Sequence, residues 1–179
     1  MNLYGFAGGD PVNFSDPFGL CPEWLDGIPC VAPIGSPMIA AGSTELSGVG
    51  GSEYGFTRSG GKQFHNGFDL AAEPGTSVVA PGDATVTARY DKKSGNYVQM
   101  DLGNGTRVSV LHMQGFADGL TVGKSIKVKA GAVVGTTGRT GNAANSPRDS
   151  HGHVITRVNG KTCNPRDFLS KDGGGGSCQ

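Results

Sequence analysis

The chain has four histidines, and all of them fall in three short motifs. His65-Asn66-Gly67-Phe68-Asp69 places an imidazole and a carboxylate four residues apart, a spacing that can chelate one cation from an extended segment or a loop. His112 lies in Val110-Leu111-His112-Met113, at the end of a run that alternates like a strand. His151-Gly152-His153 heads the β-branched run Val154-Ile155. If that run is a strand, alternation sends both imidazoles to one face. Both can then address one metal ion, or one can bind it while the other works on a substrate. Zinc takes imidazole nitrogen and carboxylate oxygen, and catalytic zinc keeps a position for water. Two histidines and Asp69 meet that need, which leaves two imidazoles to handle protons and an oxyanion. Spacing does not decide which histidines bind. There is no His-Glu-x-x-His, so the helical zinc-protease pattern is excluded.

The elements that must position these residues read as short strands. Ser77 to Ala80 is one, and Pro81-Gly82-Asp83 turns. Ala84 to Tyr90 alternates, with Thr85 and Thr87 on one face and Val86 and Ala88 on the other. Asn96 to Leu102 and Thr106 to His112 flank Gly103-Asn104-Gly105, a strong hairpin signal. Ser125 to Lys129 turns Ile126 and Val128 inward, a further strand begins in Gly131 to Gly135, and Val154 to Val158 is the last. Asn159-Gly160 then turns the chain toward Phe168 and Leu169. Short strands at even spacing without βαβ alternation predict an all-β fold, an antiparallel β-sandwich or open barrel.

Composition narrows the function classes. Lys+Arg and Asp+Glu both number 15, so no basic field invites nucleic acid. The 32 glycines show no period of three, which excludes collagen. The uncharged run from Gly27 to Thr44 is broken by Pro29, Pro33 and Pro37, so no membrane span is expected. No basic segment precedes an apolar one at the N-terminus, so any export is expected to use another signal. Cys21 with Cys30, and Cys163 with Cys178, could each close a bridge; free thiols are the even alternative.

With the motifs in view, the chain resembles the LytM/lysostaphin-like zinc metallopeptidases, which cleave peptidoglycan cross-bridges. Their H-x-G-x-D and following P-G-T-x-V-x-A match His65 through Ala80. Their glycine-rich run resembles Gly123 through Gly141, their H-x-H is His151-Gly152-His153, and their closing N-G-x-x-x-N/D-P is Asn159 to Pro165. The resemblance covers about residues 54–169. It implies the LytM-type fold with a groove holding one Zn2+ per chain. It also implies His65, Asp69 and His153 as metal ligands and His112 and His151 as the catalytic pair. The chain departs from the family at Val110 and Met113, where Tyr and Leu are usual, and at Val154 and Ile155, where an aromatic and Glu are usual. Neither departure removes a ligand. Asn142, Asn145, Ser146 and Arg148 are expected to rim the cleft, while Asn66 and Arg58 are weaker candidates that read more readily as ordinary polar loop residues.

Residues 1–20, from Asn2-Leu3-Tyr4 through Asp16-Pro17-Phe18-Gly19-Leu20, resemble the segment that closes the core of RHS-repeat proteins. Residues 21–51 read as a Pro/Gly/Ser-rich linker, with Trp24, Ile28 and Ile34 able to pack back. Residues 52–170 are expected to form the metallopeptidase-like domain, and 171–179 a Gly-rich tail that is flexible unless Cys178 is bridged. Together these imply an endopeptidase that cuts peptidoglycan peptide stems or cross-links as the toxic part of an RHS-type antibacterial effector. It would act as a monomer in the periplasm or cell wall and be restrained by an immunity protein. The alternatives are a LytM-like binding or regulatory module without hydrolysis, and a nuclease tail, which the neutral charge opposes.

Overall fold

The computed structural model describes residues 51–103, 105–146, 150–165 and 178–179. The expected RHS segment, the linker with Trp24, the Cys21–Cys30 loop, Arg148, Phe168, Leu169 and the glycines of the tail lie outside them. The described residues form eleven strands and one 3-10 turn. In chain order the strands are β1 Gly55–Arg58, β2 Gln63–His65, β3 Phe68–Ala71, β4 Ser77–Val79, β5 Ala84–Asp91 and β6 Gly95–Asp101. They continue with β7 Thr106–Phe116, β8 Ser125–Val128, β9 Val133–Thr137, β10 His151–Val158 and β11 Lys161–Cys163. The 3-10 turn, Gly141–Asn145, precedes β10.

The fold is all-β and antiparallel, as expected. One nine-stranded sheet runs β11-β10-β7-β6-β5-β8, and β1 with β2 form a separate hairpin. The sheet forks at both ends of its long strands. The first half of β10 pairs with β3 while its last residues pair with β11. β7 pairs with β6 up to Met113 and then with β9, which in turn pairs with β4. Short strands β3, β4 and β9 therefore close over one face of the long strands.

Alternation decides what that closure buries. Val86 and Ala88 of β5, Val98 and Met100 of β6, Val108 and Val110 of β7 and Val154 of β10 point inward. They meet Phe68 and Leu70 of β3, Val78 of β4 and Val134 of β9 in a single cluster. The intervening residues of β6, β7 and β10 face the opposite way, and that second face becomes the floor of a groove.

Several boundaries differ from the sequence reading. β7 continues past His112 to Phe116, β9 starts at Val133, and β10 starts at His151 itself. The strands β1, β2, β3 and β11 are short pieces whose partners supply the hydrogen bonds that three or four residues alone cannot hold. Asn159 and Gly160, at φ 48° and 83°, turn β10 directly into β11. Cys163 and Cys178 are joined by a disulfide with a sequence separation of 15, and Gln179 and Thr162 exchange backbone hydrogen bonds of 2.8 and 2.9 Å. The last two residues are thus tied to the edge of the sheet.

Candidate metal centre and groove

Pairing between β3 and β10 sets Asp69 directly opposite His153. Directly opposed residues share a face, so the carboxylate and the imidazole meet: Asp69 Oδ1 is 2.7 Å from His153 Nδ1. His65 reaches the same point from the end of β2. Its Nε2 is 3.0 Å from His153 Nδ1 and 3.3 Å from Asp69 Oδ1. The turn between β2 and β3 has to pass over the His153 ring, and Gly67 makes that possible. A Cβ there would fall 2.6 Å from His153 Nε2 and against the carbonyl of Val154. The glycine inside His-x-Gly-x-Asp thus lets the backbone lie on the imidazole of the other motif.

His112 arrives by a different device. In β7, Val108 and Val110 point to the core, and strict alternation would send the residue at 112 after them. Instead His112 takes φ 66°, and two residues of β7 oppose one of β6, a β-bulge between the pairs Asn96↔Met113 and Val98↔Val110. The bulge turns the imidazole to the groove side and puts Met113 into the core in its place. A left-handed backbone at a residue with a Cβ is uncommon and costs free energy, so the surroundings must hold it. They do so through the backbone: His112 N–H donates to Ser94 O at 3.0 Å, and the ring Nδ1–H donates to Thr140 O at 3.0 Å. Gly95 and Gly141 allow this approach, since a Cβ on either would collide with the facing loop. His151, at the head of β10, meets His112 edge to face with ring centroids 5.5 Å apart.

All five side chains are buried. Burial alone would raise the pKa of Asp69, but hydrogen bonds from His153 and His65 outweigh it and hold the carboxyl well below its usual range. For His153, burial is the largest influence and lowers its pKa against the pull of Asp69. His112 is lowered to about 4, mainly by burial and then by His153 and His151. His65 is oriented by Glu53, whose carbonyl oxygen is 2.8 Å from Nδ1. That bond puts the proton on Nδ1 and aims the Nε2 lone pair at His153 and Asp69. Arg58 Nη2 donates to Asp69 Oδ2 at 2.8 Å and lies the same 2.8 Å from His65 Nε2.

These atoms can hold a cation. One nitrogen from each of His65 and His153 and one oxygen of Asp69 all lie within 4.8 Å of one another. Two imidazole nitrogens with one carboxylate oxygen suit zinc better than calcium or magnesium, which prefer oxygen alone. Among the described residues no other group of three or more such donors gathers.

The sequence model described as peptidase family M23 matches residues 63–165, more than half of the chain. The chain belongs to peptidase family M23. It is 32% identical over 104 residues to a DD-carboxypeptidase/endopeptidase, Mpg, of Neisseria meningitidis, covering 58% of this chain and 22% of that protein. It is 35% identical over 103 residues to the peptidoglycan DD-endopeptidase ShyC of Vibrio cholerae, covering 57% and 22%. This M23 chain therefore spans about a fifth of the length of either relative. Among solved structures it is similar to the catalytic domain of the prophage-encoded M23 protein EnpA from Enterococcus faecalis. There the TM-score is 0.55 at 26% identity, over 73% of this chain and 91% of that one. The catalytic domain of lysostaphin from Staphylococcus simulans shares the fold, with a TM-score of 0.54 at 24% identity, over 67% and 90%.

Around the M23 site runs a groove of about 440 Å3. Of the expected rim residues, Asn142 and Ser146 line it, Asn145 is not among its lining residues, and Arg148 is outside the described residues. Asn66 lines it as well. Arg58 differs from its reading as an ordinary loop residue, because its guanidinium is bonded into the donor cluster. The sequence reading missed Glu53 and Thr140, which act through backbone carbonyls and leave no side-chain signal. It also missed Tyr97, Gln99, Ser109 and Arg157, which alternation on β6, β7 and β10 could have placed on the groove face.

Proposed function

We propose that this M23 chain is a zinc endopeptidase that hydrolyses peptide stems or cross-links of bacterial peptidoglycan. The observation that carries the reading is the convergence, in one groove, of three buried metal-ligand atoms and a second pair of imidazoles. His65, Asp69 and His153 would hold the zinc, with Arg58 fixing Asp69 Oδ2 so that Oδ1 is left to coordinate. Bound zinc would supply Lewis acidity, polarising a carbonyl and making a water acidic near neutral pH.

The chain's own residues supply the proton handling. His112 keeps its Nδ1 proton on Thr140 O, so Nε2 is the basic atom that can accept a proton from water. Its lowered pKa keeps it neutral at physiological pH, with no proton on Nε2. The proton that His112 takes from water would pass on to the leaving amine, while His151, edge-on to it, would donate a hydrogen bond that stabilises the oxyanion. The retention of both groups of side chains favours hydrolysis over a purely regulatory role. The names of both relatives include an endopeptidase activity, and that of ShyC, a peptidoglycan DD-endopeptidase, supports the substrate class.

The RHS-like segment at residues 1–20 supports a narrower reading: the toxic C-terminal part of an RHS-type effector, acting in the periplasm or cell wall and restrained by an immunity protein. Among the described residues no helix is long and apolar enough to cross a membrane. Digestion of purified sacculi with mass analysis of the fragments tests the proposal. The expected result is release of peptide-cleaved fragments that a chelator abolishes and added zinc restores. Intact sacculi with a zinc-loaded, folded protein would overturn it.

A further inference from the structure

We infer that the arm of the groove beyond Ile155 is a carboxylate subsite, in which Arg157 binds a free carboxylate on the peptide. The inference rests on the peptidase reading above and names a feature of its substrate. It starts from alternation. His151, His153, Ile155 and Arg157 follow one another at every second position of β10, and all four line the groove. Arg157 is half-buried and lines the groove, and an arginine can pack its stem in a wall while its charged head stays in the cleft.

Cross-strand register then isolates its charge. Asp101 of β6 is opposite Arg107 of β7, and Arg107 is opposite Arg157 of β10. Like charges directly opposed on one face are unfavourable. Arg107 is compensated by Asp101, 3.3 Å away. Among the described residues no carboxylate is paired with Arg157, and no Asp or Glu lines the groove. Its charged lining beyond the histidines is Arg58, Lys93 and Arg157, all cationic, in a chain whose formal net charge is +0. Arg58 is already committed to Asp69. Among the described lining residues the formal charges beyond the histidines are therefore cationic, and the arm beyond Ile155 carries an arginine, whose guanidinium is suited to grip a carboxylate with two parallel hydrogen bonds.

Position sets which carboxylate. Arg157 follows His153 by four strand residues, on the order of 13 Å along β10. An extended peptide covers roughly 3.3–3.6 Å per residue. A carboxylate roughly two to four residues from the scissile bond falls within reach of the side chain. Gln99 and Ser109 lie between, on the same face, and offer polar contacts to the peptide backbone.

The test uses two synthetic fluorescent peptides of peptidoglycan-stem composition, one with a free interior carboxylate three residues from the bond to be cut and a twin amidated there. Binding is measured by anisotropy on the full chain, its Arg157→Gln variant and its Arg157→Lys variant, with sacculus digestion in parallel. The wild type should bind the carboxylate peptide about tenfold or more tightly than its twin. The ratio should fall near one in R157Q and lie between in R157K. Equal binding of the twins by wild type overturns the inference, and that comparison stands even if a variant fails to fold. A preference that survives in folded R157Q overturns it too. A preference that depends on Arg157, found with undigested sacculi, leaves the subsite standing and removes the hydrolase reading.

Discussion

The His65–Asp69–His153 trio and the His112–His151 pair use one side-chain type in two electrostatic settings. In the trio, a buried carboxylate stands 2.7 and 3.3 Å from two imidazole nitrogens that are themselves 3.0 Å apart. In the pair, the rings meet edge to face at 5.5 Å, and His151 Nε2 stands 4.0 Å from Asp69 Oδ1. Facing nitrogens beside a negative charge attract a cation. The crossed rings are in edge-to-face contact with each other and stand further from the carboxylate, so they are left to face the groove. The two also differ in how they are built. The trio is assembled from in-register pairing plus one glycine turn, whereas His112 depends on a bulge and a left-handed residue.

Breaking the trio should have the largest effect. Asp69→Ala should lower bound zinc from about one per chain to a small fraction and abolish turnover, as read by metal analysis and sacculus digestion. His153→Ala should do the same. Zinc retained at full occupancy in D69A would remove the distinction between the two groups. Breaking the pair should separate metal from chemistry. His112→Asn is the preferred variant, because asparagine tolerates the left-handed backbone found there. It should keep zinc and lose turnover by roughly 10²–10⁴-fold, the usual worth of a positioned proton carrier. Turnover unchanged in zinc-loaded H112N would reject the assigned role.

The same contrast explains what the sequence could tell. The donor set was legible in part because its pieces are local. His65 and Asp69 share a motif, and alternation in β10 places both His151 and His153 on the face opposite the core. The choice of His153 as the third ligand came only from the family resemblance. The core strands were legible for the same reason, since Val86, Ala88, Val98 and Met100 repeat at period two. The route of His112 was not. Alternation from Val108 and Val110 points it inward, and the bulge that redirects it is set by contacts with Ser94 and Thr140, far away in the chain. Glu53 and Thr140 contribute carbonyl oxygens, which every residue has. β1, β2, β3 and β11 are too short for a periodic signal, and only their partners define them.

A smaller effect sharpens the trio from outside. Arg58 touches Asp69 and His65, and no bond joins it to His112 or His151 among those described. Arg58→Ala should weaken zinc binding by about 10–100-fold, as removal of a group that orients a metal ligand does. Competition with a chromogenic chelator measures this. Arg58→Lys should recover part of the loss. Affinity equal to wild type in R58A would show that the guanidinium does not orient the carboxylate.

The pair can be tested without mutation, through pH. His112 has its pKa lowered to about 4 in the fold, first by burial and then by the neighbouring imidazoles. An unfolded histidine titrates near 6.5. Between those values the unfolded chain takes up a proton that folded His112 refuses, so stability is lost as pH falls through that window. The contribution is complete above about 6.5, and below about 4 this group causes no further loss. A zinc ion beside His153 adds positive charge and can only push the same way. The His112 ring resonances in an NMR titration should therefore stay in their neutral positions from pH 7.5 to about 5. An imidazole that titrates near 6.5 in the folded protein would mean that His112 is open to water. It would then be half charged near neutral pH, and the contrast with the trio would rest on geometry alone.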